Sequence, residues 1–302
     1  MNDGLPPNID DRLKASNLID KVEGKVPIVV PNKRRIDKPL QKDGAENIVF
    51  VGTDVTSLFP SLRNVETARM AKYAKLNSNI AVENFDCKMA LRYLSIVGGI
   101  ELLERIGVGR LAPKWLGSRK DLITVGGKKS KDPKSWRDTN REIFKTDEKK
   151  IFAAVMEVMI NVAMATHVYS FGGKVFLQAD GGPIGLKLTA ALAALIMKLW
   201  DIAWLKLLEN QKVVIHDYYR YVDDSRNALP CLKEGWRWTH DRFEFSDDWE
   251  AEDLNSGVTD QHRTMVEITK AMSSLVSFLC FEGEESGMYP DQKLPTFDTA
   301  IW

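Results

Sequence analysis

The chain has 302 residues, 44% of them hydrophobic, and its 42 Lys and Arg balance 42 Asp and Glu to a formal net charge of zero. This composition excludes a disordered, collagen-like or disulfide-stapled chain and predicts a real core, in one large domain or two ordinary ones. Cys87, Cys231 and Cys280 stand far apart with no CxxC spacing, so neither a disulfide framework nor a zinc site is expected.

Met1 to Glu46 is rich in Pro, Asp, Asn and Lys with little periodicity and reads as an extended arm or linker. Its first eight residues hold no apolar core of a secretory signal, and an intracellular location, nuclear or cytoplasmic, is expected. Residues 47–302 read as one domain. Asn47 to Thr53 is a short apolar run that predicts a buried strand, and Pro60 ends the turn after it. Helical spacing covers Val65 to Leu76 and Asp86 to Ile106. Gly107 to Thr146 breaks the pattern with glycines, lysines and arginines and reads as a basic insertion. Asp147 to His167 is again helical, with Asp147 as its expected N-cap.

Lys174 to Gln178 predicts a strand, and Gly181 to Gly185 a turn. The most apolar stretch, Leu188 to Leu199, lies in a long helix reaching Leu208. Lys187, Lys198, Asp201 and Lys206 interrupt it, so a core helix is expected and not the ~20 apolar residues of a membrane span. Val213 to Val222 is β-prone, and Ser225 to Leu229 supplies a second arm, predicting a hairpin with Asp223 and Asp224 at its tip. Glu234 to Asp260 is acidic and reads as loop-rich. Gln261 to Leu275 is helical, and Ser277 to Glu282 and Pro295 to Ile301 are short strand candidates. The order predicts an α+β fold with a mixed or antiparallel sheet backed by helices.

Charge is segregated along the chain: Leu103 to Lys150 holds fourteen Lys and Arg against seven Asp and Glu, and Glu234 to Asp298 five against fifteen. Within the basic block Lys114, Arg119, Lys120, Lys128, Lys129 and Lys131 are candidates to meet phosphates, with Trp115 and Trp136 to stack on bases. A solvated loop accounts for the same residues.

Two adjacent carboxylates at a hairpin tip repel each other, and a divalent metal compensates them. Asp54 ends an apolar strand. Taken singly, Asp54 reads as a turn or cap residue, and an aspartate pair is common in turns. Together they suit two Mg²⁺ ions ~3.5–4 Å apart, which activate a 3′-hydroxyl and stabilise leaving pyrophosphate.

The segment Asp54-Val55-Thr56-Ser57-Leu58-Phe59-Pro60 resembles the first motif of reverse transcriptases. Gln178-Ala179-Asp180-Gly181-Gly182-Pro183-Ile184-Gly185 resembles the second, and Tyr221-Val222-Asp223-Asp224 the third, in the family order. Phe278 to Glu284, followed by Leu294 to Asp298, is similar to the segment after the catalytic hairpin in Penelope-like retroelement enzymes, and Arg220 before Tyr221 and Ser57 to Phe59 after Asp54 fit that group too. The resemblance implies a polymerase palm that copies an RNA or DNA template from a primer with deoxynucleoside triphosphates. It implies Asp54 and Asp223 as ligands of two Mg²⁺ ions (Mn²⁺ in their place) and Asp224 as an auxiliary ligand or an electrostatic neighbour; the Val55 carbonyl is a candidate to complete one shell, since Mg²⁺ takes near-octahedral oxygen coordination. It gives Phe59 the place under the incoming sugar, where a ring excludes a 2′-hydroxyl. It sets Gln178 and Gly181 against nucleotide or template, and Tyr221 near the primer end. The bland counterparts are a core phenylalanine, a strand-to-helix turn and a sheet-covering tyrosine.

The chain departs from the family in three respects. Asp54 and Gln178 are 178 − 54 = 124 positions apart, a long interval. Only about 46 residues precede the first strand, where a fingers region is expected, and Lys33, Arg34 and Arg35 are their one compact basic cluster. No thumb or endonuclease segment is recognisable toward Trp302. Incomplete fingers and thumb are therefore expected, and a truncated, inactive nucleic-acid-binding relic is the alternative to an active polymerase. No membrane partner is expected, and the oligomeric state is left open.

Overall fold

The computed structural model describes residues 18–19, 38–80, 85–111, 141–296 and 299–301. In chain order it forms β1 (Ile48–Val55), α1 (Leu58–Ser61), α2 (Asn64–Asn77), α3 (Cys87–Arg105) and α4 (Arg141–Ala165). There follow β2 (Val168–Phe171), β3 (Lys174–Leu177), α5 (Lys187–Asn210), β4 (Asp217–Tyr221) and β5 (Asp224–Pro230). The remainder is β6 (Trp236–Thr239), β7 (Arg242–Phe245), α6 (Asp247–Ser256), α7 (Asp260–Ser273), β8 (Phe281–Glu284), β9 (Leu294–Thr296) and β10 (Thr299–Ile301). The fold is α+β with antiparallel sheets. It divides into two compact units, Met1–Arg63 with Asp180–Trp302, and Asn64–Ala179.

The first unit is built on a four-stranded antiparallel sheet in the order β4-β5-β1-β8. Alternation along β1 assigns its faces. Val49, Val51, Thr53 and Val55 are buried, while Asp54 on the other face is exposed. The buried face carries polar pairs as well as apolar ones: the Thr53 and Ser225 hydroxyls are 2.6 Å apart, and the Trp204 indole donates to Asn227 Oδ1 at 3.1 Å. The second bond ties α5 to β5. Trp200 stacks on Trp204 and on Phe281, with ring centroids 5.8 and 4.6 Å apart.

By length and composition α5 qualifies to cross a membrane, which its interrupting charges were expected to prevent. In the structure its Leu192, Ile196, Met197, Trp200, Trp204 and Leu208 are buried in the core.

The acidic stretch 234–260 is not loop-rich. β6 and β7 pair in a hairpin whose Trp236–Phe245 and Trp238–Phe243 rings meet edge to face, and α6 follows. Buried Arg263 on α7 anchors it, donating to Asp260 and to the Leu232 carbonyl. The β-prone run 213–222 forms a strand only from Asp217. Ahead of it the Gln41 side chain accepts from Val214 N and donates to Val214 O, taking the place of a neighbouring strand. The described end of the N-terminal arm is thus tied to the sheet unit, with Lys42 also paired to Glu234 and Asp260.

The second unit packs α2 along α4 and buries Leu94, Leu103, Val108 and Ile151 between α3 and α4. Asp86 caps α3 by accepting from Lys88 N and Met89 N, both at 3.0 Å, and Gly99 interrupts the helix with a φ of 62°. Asp147 is not an N-cap. Its helix starts earlier, and buried Asp147 is paired with Arg110. The strand β3 is joined by an unforeseen β2, and all eight residues of this hairpin are exposed.

Candidate functional site

Register places the candidate carboxylates in a row across three strands. Thr53 faces Ser225, so the next position on β1, Asp54, stands opposite Asp224, and Asp54 is paired with Glu282 on β8. One step along the same face, Arg226, Gly52 and Glu284 form the next row. Asp223 lies in the turn between Tyr221 and Asp224, which are themselves paired. One end of the sheet therefore carries Asp54, Asp224 and Glu282, with Asp223 in the adjoining turn.

Like charges opposite one another destabilise a sheet unless something offsets them. Burial, joined by Asp223, Asp224 and Glu282, pushes the Asp54 carboxyl above its ordinary range, against a bond from the Val55 N–H. Burial also raises Asp224, although Arg226 opposes it through an ion pair at 2.7 Å.

The turn itself is held by a network that the sequence did not reveal. Val222 adopts a φ of 57°, a left-handed conformation that is costly for a β-branched residue. Arg220 donates to the Val222 carbonyl at 2.6 Å and makes a two-pronged contact with Asp201 on α5, at 2.8 and 2.7 Å. The Tyr218 hydroxyl donates to the same carboxylate at 2.7 Å, and burial with this bond lifts the phenol far above its usual range. The hydrogen bond to Asp201 likewise raises Arg220. From the sequence, Asp201 is only a charge interrupting an apolar helix. Its i+3 and i−1 neighbours Trp204 and Trp200 face the core, but nothing in the sequence pairs it with Arg220.

The turn at Phe59 is brought to the glycine-rich turn. Ser57 takes a left-handed φ of 54° to start α1, Phe59 is half-buried, and its carbonyl accepts from Gly182 N at 2.8 Å. Gly181, at φ 89°, packs so closely that a Cβ would lie 2.4 Å from the Pro60 carbonyl oxygen. We expect Gly181→Ala to cost about 1–3 kcal/mol of stability, because the clash and the left-handed backbone act together. A melting temperature unchanged within 1–2 °C would contradict this docking.

The other candidates are distributed as follows. Val55 is buried at the end of β1, and Tyr221 is exposed beside the turn. Gln178 donates its backbone N–H to the His167 carbonyl in the second unit, whereas Asp180 and Gly181 belong to the first. Lys114, Arg119, Lys120, Lys128, Lys129 and Lys131, with Trp115 and Trp136, lie outside the described residues, as do Lys33, Arg34 and Arg35. A different aromatic surface exists: on one face of the β2–β3 hairpin Tyr169 stacks on Phe176 with centroids 5.5 Å apart, beside exposed Phe171 and its partner Lys174. The signal for β2 is β-prone composition, with Val168, Tyr169 and Phe171 among four residues, too short a run to stand out.

Among the described residues, no group of three or more His, Cys, Asp and Glu stands arranged to hold a metal ion. The donor chemistry at the sheet end is nevertheless that of hard cations: carboxylate oxygens in mutual repulsion, with no Lys or Arg ion-paired to Asp54 among the described residues. The chain matches no known protein-family model, no curated protein and no solved structure.

Proposed function

We propose that this chain is the palm of an RNA-directed DNA polymerase that adds deoxynucleotides to a primer 3′-hydroxyl. The observation that carries the proposal is the meeting of Asp54, at the end of a central strand, with the Asp223–Asp224 turn of the neighbouring hairpin. Two divalent metal ions bound there would supply activation of the attacking hydroxyl and neutralisation of the leaving pyrophosphate. Asp54 and Asp223 would hold them, with the Val55 carbonyl beside them. Asp201 and Arg220 keep the turn that bears Asp223 in place. Phe59, on the turn docked to Gly181 and Gly182, would lie under the incoming sugar. Exposed Tyr221 would flank the primer end.

The test is primer extension on a homopolymer RNA template with Mg²⁺, comparing deoxy- with ribonucleotides and wild type with Asp223→Asn. Extension by deoxynucleotides only, lost on substitution, supports the reading. A folded chain with no extension overturns it. In the same assay Phe59→Val is expected to raise the ratio of ribo- to deoxynucleotide incorporation by up to about 10²-fold, the usual limit of discrimination by a hydroxyl clash in an apolar pocket. An unchanged ratio would return Phe59 to an ordinary packing role.

A second reading, an inactive nucleic-acid-binding relic, is favoured by one observation: Asp224 is already engaged by Arg226. It predicts salt-dependent RNA or DNA binding that ignores Mg²⁺, without incorporation.

A further inference from the structure

We infer that Arg226 is a resident counter-cation that already compensates Asp224, weakens its pull on a metal and leaves Asp54 and Asp223 as the principal metal-binding pair. The inference rests on the two-metal reading above and, of the two roles open to Asp224, favours the electrostatic neighbour over the auxiliary ligand, with Arg226 as the reason.

The geometry is specific. Arg226 is only 9% exposed and lies on the carboxylate face of β5. One guanidinium nitrogen donates to Asp224 Oδ1 at 2.7 Å and to the Ser225 carbonyl at 3.0 Å. The other contacts Glu284 Oε1 at 3.1 Å and donates to the Pro295 carbonyl at 2.6 Å. The group thus reaches from β5 over β1 to β8 and on to β9.

It passes above Gly52, the register partner of both Arg226 and Glu284. A Cβ there would meet the guanidinium and the Glu284 side chain at 2.8 Å, so the glycine is what lets the bridge form. Tyr289 donates to Glu284 from the far side.

A guanidinium is permanently charged and rigid, and its fork fits carboxylates held in a row. Arg226 takes up Asp224 Oδ1, so only Oδ2 is left to a metal, and the fixed positive charge beside it weakens that bond. Among the described residues no Lys or Arg forms an ion pair with Asp54 or Asp223. Those two remain the carboxylates whose repulsion a metal would relieve. Among the described residues, one carboxylate thus has a built-in cation and the other two have none.

The experiment is calorimetric titration of the full, metal-stripped chain with MgCl₂. Asp54→Asn and Asp223→Asn should each weaken binding at least tenfold, while Asp224→Asn stays within about threefold of wild type. Arg226→Gln should tighten Mg²⁺ several-fold, because a positive charge beside the site is gone and Asp224 is released to it. Arg226→Lys, which keeps the charge, should not. A purely structural Arg226 would give equal or weaker binding in the Gln variant.

Should Arg226→Gln fail to fold, Arg226→Gln with Glu284→Gln removes both halves of the buried pair. In that background Asp224→Asn should cost Mg²⁺ affinity that it does not cost in the wild type, a coupling readable from a mutant cycle. Wild type that binds Mg²⁺, with Asp224→Asn as damaging as Asp223→Asn, overturns this inference alone. Wild type that binds no Mg²⁺ overturns the two-metal reading and the inference together.

Discussion

Asp54→Asn and Asp223→Asn are each expected to reduce primer extension by about 10²–10³-fold or more, the scale on which removing one preorganised group that stabilises transition-state charge acts. Asp54→Asn should at the same time stabilise the metal-free fold at neutral pH. Burial and the carboxylates of Asp223, Asp224 and Glu282 raise the Asp54 pKa. A carboxyl raised in this way holds its proton more tightly folded than unfolded. Folding stability therefore falls as pH rises from the ordinary Asp range through the raised folded value, and is lowest with the group fully ionised. Replacing the ionising group removes that penalty. Thermal unfolding of wild type without metal should show a stability gain as pH drops from 7 toward the Asp54 pKa, a gain the Asn variant lacks. Added Mg²⁺ should stabilise wild type and leave the variant unmoved. A variant with lower stability at pH 7, or a wild-type profile flat over that interval, would show that Asp54 is not under electrostatic strain.

The second large effect is expected at Asp201. Its carboxylate takes two bonds from Arg220 and one from Tyr218, and both partners of the ion pair are mostly buried, at 14% and 16% side-chain exposure. Asp201→Ala strands a buried guanidinium and should cost about 3 kcal/mol, measured by urea unfolding. Replacing both partners, Asp201→Leu with Arg220→Leu, should recover much of that stability, since a desolvated pair contributes little over apolar packing. It should not recover primer extension. Arg220 also holds the Val222 carbonyl, and the left-handed Val222 backbone would relax once released. Stability and extension recovering together would show that Arg220 serves packing only.

Much of the fold is local and was therefore readable from local pattern. The apolar run at 48–55, the long Ala/Leu helix, the hairpin bearing Asp223 and Asp224 and the helix at 260–273 follow from period-2 and period-3.6 burial. The errors were local signals overridden by context. Asp147 has the chemistry of an N-cap, yet the helix begins six residues earlier and the side chain pairs with Arg110 instead. The acidic stretch 234–260 has the composition of a loop, but its four aromatics at 236, 238, 243 and 245 alternate on a hairpin packed against α7. α5 reads as a core helix in one measure and as a membrane-length helix in another, because hydropathy sums do not know that its tryptophans face the sheet.

For the candidate site, the sequence by itself singled out Asp54, Asp223 and Asp224 as candidates and placed them at a strand end and a hairpin tip, although Asp224 proves to be the first residue of β5 and only Asp223 lies in the turn. Those are properties of residue type and of neighbours a few positions away. Only the tertiary structure decided what surrounds them. Glu282 faces Asp54 across 228 positions, Arg226 reaches over Gly52 to Glu284, and Asp201 grips Arg220 from a helix. Such pairings depend on strand register and on which face a side chain takes. A shift of one residue would reverse every face, and no spacing rule in a single chain encodes a register between strands so far apart.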